Sequence, residues 1–221
     1  MTALFKLMAM MAGFFICLLV FGYISGVIQP AAIKDALLAT QNSPPVYIGL
    51  VITGLLFIDI FLSVPTLSTV LIAGFLLGPI IGAAFAVLGL LLAGLTGFWL
   101  SRLYGLRLFE RLMPRPEERA RARSAFQTYG VWMILISRAV PMLPEITACL
   151  AGLTGMGFWR FLAAWLLGTV PYALIAAYAG AISTIEDPTP AMLMVAGFYL
   201  FTWGGVFLFN RSMKKKVGQG E

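Results

Sequence analysis

The stretch of sequence that decides the fold is YGVWMILISRAVPMLPEITACLAGLTGM, residues 129–156. It is apolar over most of its length, yet it contains Arg138, Pro141, Pro144 and Glu145. Proline removes a backbone donor and disfavours helix at the residue before it. A charged side chain inside a membrane element is rare and marks a functional site by default. The stretch therefore predicts a broken, re-entrant helical hairpin rather than a plain span.

The composition of the whole chain supports a membrane setting. Its 221 residues are 61% hydrophobic and 11% charged, whereas an average soluble domain is about 45–50% apolar and about 25% charged. The chain has no histidine, and its two cysteines lie inside apolar runs. We therefore expect no enzyme, no metal site and no cofactor. The formal net charge of +6 sets membrane orientation, so we expect no nucleic-acid partner.

A second apolar stretch, residues 46–100, has the same irregularity. Asp59 is its one charged residue, and it is broken by Pro65 and by Gly78-Pro79. Three spans would need about 60 residues plus turns, which this stretch does not provide. We therefore expect a re-entrant hairpin followed by a single span.

Charge distribution then sets the topology. Lysine and arginine stay on the cytoplasmic side, which places Lys6, the Arg-rich segment 101–128 and the lysines at 214–216 inside. The acidic loop at 186–187 would lie outside. Because a first span puts the polar loop before residue 46 outside, the stretches 46–100 and 129–182 must each cross the membrane an odd number of times. The predicted fold is an all-α polytopic membrane protein with about four full transmembrane helices, two opposed re-entrant hairpins and both termini in the cytoplasm.

This topology divides the chain into three regions. They are an N-terminal transmembrane helix with a polar loop (1–45), a core (46–182), and an acidic loop with the last transmembrane helix and a basic tail (183–221). The core comprises a re-entrant hairpin (46–78), a span (80–101), a basic cytoplasmic segment (102–128), a second re-entrant hairpin (129–156) and a span (158–182).

The two halves of the core resemble each other. Asp59 precedes Pro65 by six residues, and Arg138 precedes Pro144 by six. An Ala-Gly pair follows each proline, ending at Gly74 in the first half and at Gly152 in the second, before a Gly-rich span. Because the halves cross in opposite directions, the pattern predicts an inverted repeat, as in secondary transporters.

At these residues the sequence resembles the DedA superfamily, also called the VTT or SNARE-associated Golgi protein domain. The resemblance covers about residues 46–182 and is carried by Ile136-Ser137-Arg138-Ala139-Val140-Pro141 with Ala151-Gly152-Leu153, and by Phe57-Ile58-Asp59 with Pro65 and Ala73-Gly74-Phe75. It implies two facing re-entrant hairpins, movement of phospholipids or lipid phosphates between leaflets, and proton coupling in bacterial members. Leu67 and Glu145 depart from the bacterial pattern, which indicates a divergent branch.

Three charged residues are the candidate substrate-binding groups. The guanidinium of Arg138 suits a lipid phosphate, Asp59 is its symmetry mate, and Glu145 opens the second arm of its hairpin. Each has an alternative role that the sequence leaves open. Arg138 would form a structural pair with Asp59 or Glu145 that locks the two hairpins together, Asp59 would be a permanent counter-ion, and Glu145 would stabilise a helix N-terminus.

Other residues are assigned to structure or to the membrane surface. The hairpin residues are Pro65, Pro141, Pro144, Gly74, Gly78 and Gly152. The head-group or surface arginines are Arg102 and Arg160. Aromatic residues expected at the interface or facing lipid are Trp99, Trp132, Trp159 and Trp165.

The predicted function is a membrane lipid transporter or scramblase that moves phosphate-bearing lipids through a cleft between the hairpins. A proton-coupled small-solute or ion transporter and a non-transporting scaffold are the alternatives. We expect a bacterial inner-membrane protein, and the sequence leaves open whether it is a homo-oligomer or a monomer.

Overall fold

The computed structural model describes residues 43–62, 65–112, 115–138 and 143–183, with isolated positions between 189 and 197. These described residues form helices and connecting turns, with no strand among them. The helices are α1 (Pro45–Leu62), α2 (Thr66–Leu77), α3 (Pro79–Leu112), α4 (Pro116–Ser137), α5 (Leu143–Leu153) and α6 (Phe158–Ala181). The predicted first and last transmembrane helices lie outside the described residues.

Two helices are long and apolar enough to cross a membrane, judged by length and composition. They are Pro79–Gly105, within α3, and Phe158–Ala181, which is α6. At about 1.5 Å per residue, the 24 residues of α6 extend about 36 Å, enough for a hydrocarbon core of about 30 Å. The all-α class and these two apolar helices agree with the prediction.

Helix α3 extends beyond the span predicted for residues 80–101. It continues past residue 101 to Leu112, for 34 residues in all. Helix α4 then begins with Pro116 in its first turn, a position that suits proline, and runs without interruption to Ser137. The Arg-rich segment 102–128 is thus the continuation of α3 and the first half of α4. Arginine is a good helix former, so an Arg-rich polar segment is compatible with helix.

Each short helix packs against a long helix from the other half of the core. Helix α2 lies on α6, and α5 lies on α3. Both contacts need glycine, because a Cβ at Gly74 would overlap the carbonyl oxygen of Ala177, and a Cβ at Gly152 would overlap that of Phe98. Two buried clusters accompany these contacts, one around Phe98 and Phe161 and the other between α1, α2, α3 and α6.

The turn from α2 to α3 depends on Gly78. Its φ angle of 79° lies in the left-handed region, which glycine adopts without the steric penalty that a Cβ would bring. Pro79 follows as the first residue of α3, a position where its missing N–H has no helical partner to lose.

Candidate functional site

The first break in the chain holds a hydrogen bond between Asp59 and Thr66. Asp59 lies in the last turn of α1 and is 4% exposed, and Thr66 is the first residue of α2. The Thr66 hydroxyl donates to Asp59 Oδ2 across 2.9 Å. This bond ties the end of one helix to the start of the next, with Pro65 immediately before Thr66.

The second break holds Arg138, which follows the last residue of α4 and is 8% exposed. Its Nη2 donates to the Thr169 hydroxyl across 2.7 Å. The guanidinium carbon also lies 4.6 Å from the ring centroid of Trp165 and 5.7 Å from that of Tyr172. Spacings of four and three residues put these three α6 side chains on one helix face, which therefore holds the guanidinium by a hydrogen bond and by cation–π attraction.

Glu145 lies in the first turn of α5, close to Asp59 from the other helix pair. The two carboxyl groups are close enough to influence each other electrostatically. Glu145 Oε2 is buried and has no hydrogen-bond partner among the described residues. Asp59 and Glu145 thus bring one carboxyl from α1 and one from α5 to the same place.

Arg138 is near both carboxyl groups but forms a hydrogen bond with neither. Both act on the guanidinium electrostatically, Glu145 more strongly than Asp59. The direct hydrogen bond instead goes to Thr169. The three candidate binding residues therefore form one cluster whose members influence one another electrostatically, and within the described residues no ion pair joins Arg138 to Asp59 or to Glu145.

The two arginines predicted at the surface, Arg102 and Arg160, are exposed. Arg102 Nη1 donates to the Met156 carbonyl across 2.8 Å, and its guanidinium lies 5.5 Å from the ring centroid of Phe98. Arg102 therefore connects α3 to the turn before α6. Arg160 lies in the first turn of α6.

The assigned prolines have different positions. Pro65 immediately precedes α2, at a true break between helices. Pro144 is the second residue of α5 and is buried, so it belongs to a helix start. Pro141 lies outside the described residues.

Three residues around the cluster, Thr66, Thr169 and Tyr172, were not predicted from the sequence, and the environment predicted for Trp165 was wrong. Trp165 is 3% exposed, and its indole Nε1 donates to the Leu90 carbonyl across 3.1 Å, so its predicted position at the interface or facing lipid is wrong. Trp99, Trp132 and Trp159 are exposed. The spacing of Trp165, Thr169 and Tyr172, which places them on one helix face, was the sequence signal available for these residues. The signal available for Thr66 was its position directly after Pro65, which matches that of Glu145 after Pro144.

The described residues contain no group of three histidine, cysteine, aspartate or glutamate side chains that could hold a metal ion. The buried charges of the cluster are one guanidinium and two carboxyl groups. This chemistry suits binding of an anion at Arg138 and of a cation at the carboxyl pair.

Comparison with known protein families identifies the family to which the chain belongs. The family model of the VTT domain matches residues 64–182, which include Thr66, Arg138, Glu145 and the Arg138-binding face of α6. The chain belongs to the VTT domain family. Neither the comparison with curated proteins nor that with solved structures gave a match. Membership of the VTT family, together with the apolar helices, indicates a membrane protein and is consistent with a transporter-like role.

Proposed function

We propose that this VTT-domain protein is a lipid transporter or scramblase that moves phosphate-bearing lipids between leaflets. The observation that carries the proposal is Arg138, a buried arginine at a helix break, with its guanidinium held by α6. Burying a charged group in an apolar protein without compensation is unfavourable, so a buried charge suggests a functional role. The role assigned here is transport rather than catalysis.

The proposed path lies between two re-entrant hairpins formed by α1 with α2 and by α4 with α5. The lengths of α2 and α5, which are 12 and 11 residues, support this arrangement. At about 1.5 Å per residue they extend about 18 Å and about 17 Å, less than the hydrocarbon thickness of about 30 Å. Each short helix would therefore end within the membrane, and the breaks beside them would line a polar cleft.

The proposed hairpins would be related as an inverted repeat. Asp59 and Thr66 are seven residues apart around the first break, and Arg138 and Glu145 are seven residues apart around the second. Helix α2 of the first half packs on α6 of the second half, and α5 of the second half packs on α3 of the first. This reciprocal packing is the arrangement expected of two interlocked halves.

In the proposed mechanism, Arg138 binds the lipid phosphate while the acyl chains remain in the bilayer. A guanidinium can donate two parallel hydrogen bonds to a phosphate, and such charge-assisted bonds are about twice as strong as neutral ones. Thr169 and the two aromatic rings orient the guanidinium. Asp59 and Glu145 balance its charge when no phosphate is bound and repel the phosphate, which favours release.

The proposed setting is a bacterial inner membrane with both termini in the cytoplasm. The basic end of α3 and the start of α4 would lie on the cytoplasmic side, where exposed arginines such as Arg115 and Arg121 meet anionic head groups. Coupling to protons and assembly as a homo-oligomer belong to the same proposal.

The test is leaflet exchange of a head-group-labelled phospholipid in proteoliposomes of the purified protein. A membrane-impermeant quencher reports the fraction of label in the outer leaflet. We expect the fraction accessible to quencher to rise from about half, as in protein-free vesicles, toward complete. Equal quenching with and without protein, for both a phospholipid and a polyprenyl phosphate, would contradict the proposal. Gradient-driven uptake of a small solute without lipid exchange would then favour the solute transporter.

A further inference from the structure

A column of three aromatic rings connects two arginines of the core. The rings of Phe98 and Phe161 are stacked, with centroids 4.6 Å apart and an interplanar angle of 16°, and the Trp165 ring follows 5.4 Å from that of Phe161. The guanidinium of Arg138 lies 4.6 Å from the Trp165 centroid, and that of Arg102 lies 5.5 Å from the Phe98 centroid. A cation–π contact thus holds one arginine at each end of this aromatic column.

The two arginines are held in the same way but differ in exposure. Each guanidinium donates a hydrogen bond to a neighbouring oxygen, Arg138 to the Thr169 hydroxyl and Arg102 to the Met156 carbonyl. Arg138 is 8% exposed, whereas Arg102 is an exposed residue. A guanidinium has five N–H donors, so Arg102 keeps donors for a further ligand while its position is fixed by the ring and the carbonyl.

The position of Arg102 corresponds to the surface of the membrane. It lies three residues before the apolar part of α3 ends. The exposed rings of Trp99 and Trp159 both contact Phe158, which lies 6.1 Å from Phe98 at the same end of the column. Tryptophan is enriched at membrane–water interfaces, so these rings indicate the depth of Arg102.

Arg138 lies much deeper than Arg102. Its partner Thr169 is 11 residues after Phe158, the first residue of α6. At about 1.5 Å per residue this separation is about 17 Å, close to half of a hydrocarbon core of about 30 Å. The aromatic column therefore extends from the interface toward the middle of the membrane, with a guanidinium at each depth.

We propose that Arg102 is a second binding site for the phosphate of a lipid head group, which captures a lipid from the cytoplasmic leaflet before its phosphate reaches Arg138. A guanidinium binds a phosphate through two parallel hydrogen bonds. The exposed side chains of Trp99, Leu103 and Trp159 offer apolar surface to the acyl chains, which favours a lipid over free phosphate. The rings of the column are buried, so they fix the guanidinium groups and do not line the path.

The capture step rests on the proposed function, but binding at Arg102 is measurable without transport. The melting temperature of the full-length protein in detergent is followed as dihexanoyl phosphatidic acid is added. The Arg138→Ala background removes the deeper arginine. In it we expect a rise that Arg123→Ala preserves and that Arg102→Gln weakens at least about tenfold in apparent affinity, the effect of losing a hydrogen bond between charged groups.

Two further ligands identify what is bound. Dihexanoylglycerol lacks the phosphate and should give no rise that depends on Arg102. Inorganic phosphate lacks the acyl chains and should bind more weakly, whereas a rise equal to that with phosphatidic acid would overturn the assignment to a lipid. The same titration in the wild-type background, where Arg102→Gln should remove part of the rise, decides the site if Arg138→Ala does not fold.

Glutamine and lysine at position 102 separate phosphate binding from a structural role. Both keep an N–H donor for the Met156 carbonyl, but only lysine keeps the charge, so lysine should retain more of the affinity than glutamine. The proposal is overturned if the folded Arg102→Gln protein binds phosphatidic acid as its background does. It is also overturned if Arg160→Ala, which removes an equal charge from the first turn of α6, weakens binding as much as Arg102→Gln.

Leaflet exchange then tests the capture step. The vesicles are made of a galactolipid, which has no phosphate, with a small and varied fraction of labelled phospholipid. Arg102→Gln should raise the fraction needed for half-maximal exchange about tenfold and leave the maximal rate near that of wild type. An unchanged half-maximal fraction would contradict capture at Arg102. Absence of exchange in wild type would contradict the proposed function instead, and the binding titration would still decide the site.

Discussion

Arg138 and Thr169 lie 31 residues apart in the chain, and a 2.7 Å hydrogen bond joins Nη2 of the first to Oγ1 of the second. The bond connects the break after α4 to the middle of α6. Together with Trp165 and Tyr172 it makes α6, rather than the neighbouring carboxyl groups, the element that orients the guanidinium. Arg138 is thus held in place by α6.

Replacing Thr169 with valine should weaken the orientation of Arg138 while nearly preserving the volume of the side chain. The lost bond leaves a buried charged donor without its acceptor, which costs about 1–3 kcal/mol in unfolding free energy. We expect a lower melting temperature and slower lipid exchange. Thr128→Val is the matched control, because the Thr128 hydroxyl is exposed and donates only to the Ser124 carbonyl of its own helix. Wild-type exchange in Thr169→Val would show that α6 does not position the arginine.

Gly74→Ala and Gly152→Ala should each force a short helix away from the long helix on which it packs. Their added methyl groups would overlap backbone carbonyl oxygens, which cannot move as a side chain can. We expect each to lower the unfolding free energy by about 1–3 kcal/mol, the range for overpacked sites. Gly54→Ala is the control, since no atom lies within 4 Å of the position that its added methyl group would take, and alanine favours helix by about 1 kcal/mol. Equal melting temperatures for all three variants would contradict the close packing.

The sequence was sufficient to predict the helix breaks and the long helices. Apolar runs and prolines are local signals, so the break before Thr66 and the start of α4 at Pro116 could be read directly. The extent of α3 could not, because arginine is compatible both with a helix and with a surface loop. Only the structure shows that the helix continues to Leu112.

For the candidate site, the sequence predicted the charges but not their partners. Arg138, Asp59 and Glu145 are conspicuous because charge is rare in apolar stretches. Which of them would meet depends on how α1, α4, α5 and α6 pack, and this is a long-range property. Thr169 and Trp165 were overlooked because threonine and tryptophan are ordinary residues of membrane helices, and nothing local distinguishes a residue that contacts an arginine.

Trp165 should contribute to the site through its ring as well as its indole N–H. Trp165→Phe keeps an aromatic face toward Arg138 but removes the hydrogen bond to the Leu90 carbonyl, whereas Trp165→Leu removes both. A cation–π contact contributes about 0.5–2 kcal/mol, so the leucine variant should be the less stable of the two and the slower in lipid exchange. Trp159→Phe, at a residue that is 77% exposed, serves as the control. Identical exchange rates for the phenylalanine and leucine variants would show that the aromatic ring does not contribute to lipid exchange.

The most direct test of the central claim compares phospholipid exchange by wild type, Arg138→Lys and Arg138→Ala in proteoliposomes containing equal amounts of folded protein. Arg123→Ala, at an exposed position of α4, controls for loss of a positive charge elsewhere. Lysine keeps the charge but cannot bind a phosphate through a planar fork, so we expect partial exchange with lysine, none above protein-free vesicles with alanine, and wild-type exchange in the control. Wild-type exchange by folded Arg138→Ala would contradict the assignment of Arg138 as the group that binds the lipid phosphate.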